Sequence, residues 1–127
     1  LADCGFPSAR EIIQKVIRQM GLPPKLAYPL ARLGARLFGH FDPDDADATK
    51  ALKNCTVPVI FFHGQADDFV PSNMSEINYE ACASRKKLVL IPGAGHGLSY
   101  PTDPALYLQS AGEFFGPEGT LSKKESL

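Results

Sequence analysis

Two runs of apolar residues mark strands in the middle of the chain. The first covers residues 57–62, and the second, over residues 87–91, begins with Lys87 and continues with four apolar residues. The continuous apolar positions of the first run indicate a strand buried on both faces, as in a parallel sheet covered by helices. Each run stops at a glycine-containing turn, residues 63–64 and residues 92–95. We therefore predict two parallel strands whose carboxyl ends open into loops.

Helical periodicity and capping signals surround these strands. Ser8 and Glu11 form a capping-box pattern ahead of an apolar face over residues 9–20, and Gly21 predicts the end of that helix. Three more helices are predicted after Asp47, Ser72 and Asp103, over residues 48–54, 73–83 and 104–115. Residues 1–5 read as the end of a further strand. This order predicts the end of a doubly wound α/β sheet with about three parallel strands, the first cut short.

Between the strand end at residues 1–5 and the apolar run at residues 57–62, residues 22–47 lose this regularity. Pro23, Pro24 and Pro29 interrupt the helical pattern, and a short helix is predicted over residues 30–38. The segment can be a lid over a pocket or an ordinary surface excursion. One domain is predicted for residues 1–116, with this lid-like segment inside it and a polar tail, residues 117–127, after it.

The sequence predicts no metal site and no cofactor. Residues 41–47 are acidic, but they lack the glycine of a calcium loop, and Lys53 stands where its closing glutamate belongs. Residues 93–95 lack the third glycine of a dinucleotide fingerprint. Three widely spaced cysteines predict free thiols rather than a disulfide framework or a zinc site: Cys4, Cys55 and Cys82.

Composition excludes several classes of function. With 127 residues and 44% hydrophobic content, the chain can bury one core. With a net charge of −1, the chain lacks the excess positive charge that is typical of proteins that bind nucleic acid or an anionic membrane. No apolar run approaches the roughly 20 residues of a membrane-spanning helix. Free thiols favour a reducing compartment, so a cytoplasmic location is expected.

Both strands deliver titratable side chains into the loops that follow them. Asp67 and Asp68 come after the first strand, and His96 comes after the second. Because the carboxyl ends of parallel strands meet at one edge of a sheet, we expect an acid and a histidine to lie together there. Each residue alone is better explained as a turn former or a loop residue, but the two together, on strands of this kind, favour a functional pair. Their order matches the end of a serine–acid–histidine triad.

At these positions the sequence resembles the α/β-hydrolases. Residues 63–71, HGQADDFVP, resemble the H-G-x-x-D-x-x-V-P motif of that family, and residues 93–96, GAGH, resemble its histidine loop. The resemblance covers the chain up to Phe115 and is similar to the last third of the family. It implies Asp67 as the triad acid and His96 as the general base. Asp3 is the alternative acid, since some members take theirs from the sixth strand.

The other candidates receive lesser roles. His63 is interpreted as closing its strand through local hydrogen bonds, Asp68 as an exposed neighbour and His40 as a surface residue. The resemblance makes Tyr28 and Phe38, both in the lid-like segment, candidates for contacting the substrate.

No G-x-S-x-G motif of a nucleophilic serine occurs in the sequence. Ser99 and Ser110 come closest, but Ser99 follows the histidine loop and Ser110 lies in a predicted helix. The resemblance therefore implies the C-terminal portion of an esterase-like serine hydrolase, inactive alone, acting on small-molecule esters or related acyl compounds. Peptidase and thioesterase relatives remain open.

The alternative from another class is a non-catalytic α/β module. An open sheet edge pairs with whatever strand is available, so the chain is expected to bind the remainder of a hydrolase domain or to self-associate.

Overall fold

Three parallel strands form one sheet in the order β1 (Ala2–Asp3), β2 (Val59–Gly64) and β3 (Lys86–Ile91). The structure is a computed structural model that describes residues 1–116; the predicted polar tail, residues 117–127, lies outside the described residues. In the register of the sheet, Asp3 lies beside Phe62, and Gly64 lies beside Ile91. The α/β fold with a parallel sheet is thus confirmed, and all three strands end at the same edge.

Among the described residues, the strands are connected or followed by six helices, four of which begin at the predicted positions. The helices are α1 (Ala9–Gln19), α2 (Pro24–Gly34), α3 (Ala48–Lys53), α4 (Asn73–Ala81), α5 (Ser99–Thr102) and α6 (Pro104–Phe115). None of these described helices is long and apolar enough to cross a bilayer.

Side-chain caps account for three of the helix starts. Ser8 accepts a hydrogen bond from the Glu11 amide, and Asp47 and Asp103 cap α3 and α6 in the same way. The predicted cap at Ser72 is wrong, because its backbone is already helical and its side chain makes no capping hydrogen bond. Gly21, with φ of 75°, ends α1 as predicted.

The central strand is buried on both faces, as its apolar run predicts. Ile60 and Phe62 point to the face covered by α6, where the Phe62 ring stacks on Tyr107 with centroids 3.8 Å apart. Phe61 points to the opposite face and meets the Tyr79 ring of α4 edge-on. Because side chains alternate along a strand, one strand joins both helical layers.

The lid-like segment is more helical than predicted. Helix α2 begins at Pro24 and continues through Pro29, followed by a π-helical turn (Ala35–Gly39) and a 3-10 turn (Pro43–Asp45). The prediction that Pro29 interrupts the helix is therefore wrong. Pro24 at the first helical position costs no hydrogen bond, and Pro29 withdraws a donor only from the carbonyl of Lys25, near the helix start.

A network of arginines and aspartates holds this segment together. Asp42 accepts two hydrogen bonds from Arg32, at 2.7 and 2.6 Å, and Asp44 accepts two from Arg10. Tyr28, which is buried, donates its hydroxyl to Asp44 as well. The guanidinium hydrogen bonds hold the pKa of both carboxyls well below the usual range.

Acid is expected to loosen the lid-like segment. The pKa of each carboxyl group is lower in the folded state than in the unfolded state, where it is about 3.9. The carboxylates therefore stabilise the folded state above about pH 3.9, and this stabilisation is lost as the pH falls toward the folded-state pKa. Hydrogen exchange of the α2 amides, corrected for intrinsic rates, should therefore rise below about pH 4. Asp42→Asn should weaken this acid response, whereas Asp45→Asn, at an exposed position, should not. Equal responses in both variants would contradict the assignment.

Candidate active site

A hydrogen bond joins Asp67 to His96 at the carboxyl edge of the sheet. Asp67 Oδ2 lies 2.8 Å from His96 Nδ1. Asp67 is buried, whereas the His96 side chain is 43% exposed. With Nδ1 held by a carboxylate, the other ring nitrogen, Nε2, has no hydrogen-bond partner within residues 1–116. The structure therefore brings together the acid and the histidine that the sequence singled out.

The second carboxylate oxygen of Asp67 is fixed by its own loop. Oδ1 accepts from the amides of Phe69 and Val70, at 3.0 and 2.7 Å. Burial acts to raise the pKa of Asp67, but the Val70 amide, the hydrogen bond to His96 and attraction to both neighbouring imidazoles outweigh it, so the net pKa is lowered. The carboxylate stays ionised near neutral pH and keeps a fixed orientation.

His63 is a second imidazole against the same carboxylate. It is fully buried, with Nε2 lying 2.7 Å from the Val70 carbonyl oxygen and 3.2 Å from Asp67 Oδ2. Both of these are acceptors, so we assign the proton to Nε2 and a hydrogen bond from the Ser75 hydroxyl, at 2.6 Å, to Nδ1. The sequence predicted local hydrogen bonds for His63, but it did not indicate the contact with Asp67.

The end of β1 holds the loop that carries His96. Asp3 Oδ1 accepts from the Ser99 hydroxyl at 2.7 Å, and the Gly97 amide donates to Cys4 Sγ at 3.3 Å. Asp3, the alternative acid, is therefore hydrogen-bonded to Ser99, whereas the hydrogen bond of His96 is to Asp67. Burial raises the pKa of the Cys4 thiol. The sequence did not predict these two clamping hydrogen bonds, because no local pattern links residues 3–4 to residues 97–99.

The other predicted residues lie apart from this pair. Asp68 is exposed, and so is His40, which adopts a left-handed backbone with φ of 55°. Tyr28 lines a cleft of about 520 Å³ between α1 and α2, together with Arg10 and Arg32. Neither Asp67 nor His96 lines that cleft, and Phe38 is 87% exposed outside it. A role for Tyr28 or Phe38 in substrate binding stays a prediction.

Gly64 allows the two site-bearing loops to approach each other. A Cβ atom at this position would lie 2.2 Å from the Ala94 carbonyl oxygen and 2.8 Å from the Gly95 oxygen. Both are backbone atoms, so the histidine loop would have to move as a whole. The Ala66 amide donates to that same Ala94 oxygen at 2.9 Å, which fixes the distance between the loops.

Gly64→Ala is expected to destabilise the protein by about 1–3 kcal/mol, the usual range for overpacking a tight site. The added methyl group should also separate Asp67 from His96. Urea denaturation measures the first effect, and the NMR shift of the His96 ring measures the second. Gly112→Ala is the matched control, because a Cβ atom there meets nothing within 4 Å and the residue lies in α6. Equal stabilities for the two variants would contradict the close approach.

Comparisons with known proteins give distant relatives. No protein-family model matches the chain. It is 26% identical to the uncharacterized protein YqkD of Bacillus subtilis (strain 168) over 115 residues, which cover 90% of the chain and 38% of YqkD. It is 39% identical to the bifunctional esterase/perhydrolase DCH of Acinetobacter calcoaceticus over 70 residues, which cover 52% of the chain and 25% of DCH. The chain thus spans well under half the length of these relatives.

The fold is shared with a solved structure. BpoC of Mycobacterium tuberculosis H37Rv, a protein assigned as a non-heme bromoperoxidase, superposes with a TM-score of 0.56 at 17% identity, over 89% of this chain and 55% of BpoC. At this identity the likeness concerns the fold. Together with the match to DCH, it supports a relationship to α/β-hydrolase-like proteins.

Proposed function

We propose that this chain is the C-terminal portion of a serine hydrolase and supplies the acid and the base of its catalytic triad. Its α/β fold, which hydrolase-like enzymes share, supports this proposal. Asp67 would be the acid and His96 the base, acting on a serine outside residues 1–127. The substrate class is a carboxylic ester or a related acyl compound. The name of DCH, an esterase/perhydrolase, makes an oxygen ester the first substrate to test.

One observation carries the proposal: the 2.8 Å hydrogen bond from a half-exposed His96 to a buried, ionised Asp67. A carboxylate on Nδ1 leaves Nε2 unprotonated in the neutral ring, so Nε2 can take a proton from a serine hydroxyl. It can then return that proton to the leaving group. Oδ1 of Asp67 is held by two backbone amides, which prevents the carboxylate from turning away.

Three further observations support a nucleophile from elsewhere. No G-x-S-x-G occurs in the sequence, and the chain spans 38% of YqkD. Ser99 is fully buried and donates to Asp3, and Ser110 is buried within α6. Neither hydroxyl is exposed to a substrate in these positions.

A fluorophosphonate probe, which reacts with activated serines, tests this proposal. Protein expressed with its upstream coding sequence should be labelled at a serine outside residues 1–127, and His96→Gln should abolish labelling. The 127-residue chain alone should not be labelled. Labelling of Ser99 or Ser110 in that chain would contradict the proposal, as would labelling of the longer protein that persists in the His96→Gln variant.

The second candidate function is a non-catalytic module that associates through its open edge. The outer edge of β1 pairs with no other strand among residues 1–116, and the leucines of α2 are exposed: Leu26, Leu30 and Leu33. This function predicts a concentration-dependent sedimentation coefficient for the 127-residue chain, together with full association in His96→Gln. A chain that stays monomeric at high concentration would exclude it.

A further inference from the structure

A thiol, a carboxylate and an imidazole meet at the strand ends. One ligating atom from each of Cys4, Asp67 and His96 lies within 4.8 Å of the other two. Cys4 and Asp67 are buried, and His96 is on the solvent side. We propose that these three residues form a Zn²⁺ site, and that an ion bound there blocks the Asp67–His96 pair.

The ligand types and the distances favour zinc. Thiolate, imidazole and carboxylate are the three ligand types that Zn²⁺ takes in proteins, and three protein ligands with one open position are common. With bond lengths of about 2.0–2.3 Å, the ligating atoms of a tetrahedral site lie roughly 3.2–3.8 Å apart. The 2.8 Å separation of Asp67 Oδ2 and His96 Nδ1 would widen slightly on binding.

Cys4 is held as a thiol at the end of β1, where Sγ donates to Asp3 Oδ1 at 3.3 Å. Burial and this neighbouring carboxylate raise the pKa of the thiol, so zinc has to displace its proton. Sγ accepts the Gly97 amide at 3.3 Å, a donor that remains favourable when the sulfur is negatively charged. Cys4 also adopts a left-handed backbone conformation, with φ of 51°, directly after β1. Metal binding replaces the thiol proton, which passes to solvent, so one proton is released for each ion bound through this residue.

The ion would compete directly with the chemistry of the pair. An imidazole nitrogen and the carboxylate that orients the ring would both be bound to the metal, so the ring could no longer act as a base. This effect on catalysis rests on the proposed function. The binding of the ion does not, since it requires only the three side chains.

Cobalt provides a direct probe of the site, because Co²⁺ takes tetrahedral zinc sites and its bond to a thiolate gives a ligand-to-metal absorption band in the near ultraviolet. Titration of the 127-residue chain with Co²⁺ should give this band with one equivalent of metal, and Zn²⁺ should displace it. Cys4→Ser should abolish the band and weaken Zn²⁺ binding by at least about 100-fold, since even outer-shell changes cost roughly 10- to 100-fold. Cys55→Ser is the matched control, because Cys55 lies outside the cluster and is only partly buried.

His96→Gln provides a second variant that does not depend on the fold of Cys4→Ser, since this residue lies on the solvent side. It should weaken Zn²⁺ binding while leaving the circular dichroism spectrum unchanged. Failure of the wild-type chain to bind Zn²⁺ at micromolar concentration would overturn the site, and so would a cobalt band that survives Cys4→Ser. If the longer protein hydrolyses esters, the fractional inhibition by Zn²⁺ should fall in Cys4→Ser. If it does not hydrolyse them, the cobalt result still tests the site.

Discussion

Replacing His96 with alanine is expected to lower kcat for a nitrophenyl ester by roughly 10⁴- to 10⁶-fold in the protein that carries the nucleophile. Within residues 1–116, the His96 imidazole is the only group held by Asp67 Oδ2 that also faces solvent, since His63 is fully buried. Its loss leaves the serine hydroxyl without a base. KM should change little, because the ring would act on the reacting proton rather than on the bound substrate.

His40→Ala is the control for this experiment, as His40 is exposed and lies in the lid-like segment. It should retain the wild-type kcat. Thermal unfolding should show that His96→Ala remains folded, because its exposed side chain contributes little to the core. Activity within tenfold of the wild type in His96→Ala would reject His96 as the base.

Asp67→Asn is expected to lower kcat by about 10⁴-fold, because the substitution favours the wrong tautomer of His96. The amides of Phe69 and Val70 would hold the asparagine oxygen at the position of Oδ1, which places its NH₂ group toward His96. A donor at that position favours the ring with Nδ1 unprotonated and Nε2–H, which cannot accept a proton from serine. The same NH₂ would also oppose the Nε2–H of His63.

A stability measurement separates this explanation from simple unfolding. The pKa of Asp67 is lowered in the folded state, so its stabilising contribution is present above about pH 4 and is lost as the pH falls further. Urea denaturation should show that the wild type loses more stability than Asp67→Asn over that acid range. Asp68→Asn is the adjacent exposed control and should match the wild type in both kcat and acid response. Equal kcat values for the two asparagine variants would exclude Asp67 as the acid.

The strands and the pair at their ends were predictable from local sequence. Continuous apolar runs specify strands that are covered on both faces, and Phe61 and Phe62 do contact opposite helical layers. The choice of Asp67 over Asp68 depended on the motif resemblance, since periodicity alone left both acids open. The structure gives a physical reason for the difference: only Asp67 is drawn inward by two amides of its own turn.

What could not be predicted depends on long-range contacts. The hydrogen bond from Ser99 to Asp3 joins residues 96 positions apart, and the local sequence around neither residue predicts it. Cys4 was interpreted as an ordinary free thiol, because its neighbours in the cluster come from two other loops. Helix α2 was predicted to start at residue 30, because proline was weighed as a helix breaker without regard to its position in the first turns.

The short chain separation between Asp67 and His96 has a consequence for the order of folding. Their hydrogen bond joins residues only 29 positions apart, whereas the Asp3–Ser99 clamp spans 96. Closing the longer loop costs roughly 1 kcal/mol more in chain entropy. We therefore expect β2, α4 and β3 to form the folding nucleus and β1 to dock afterwards, so that substitutions at Asp3 give φ-values near zero and those at Phe61 give high ones. The acid and the base would then be assembled before the strand that clamps their loop has joined the sheet.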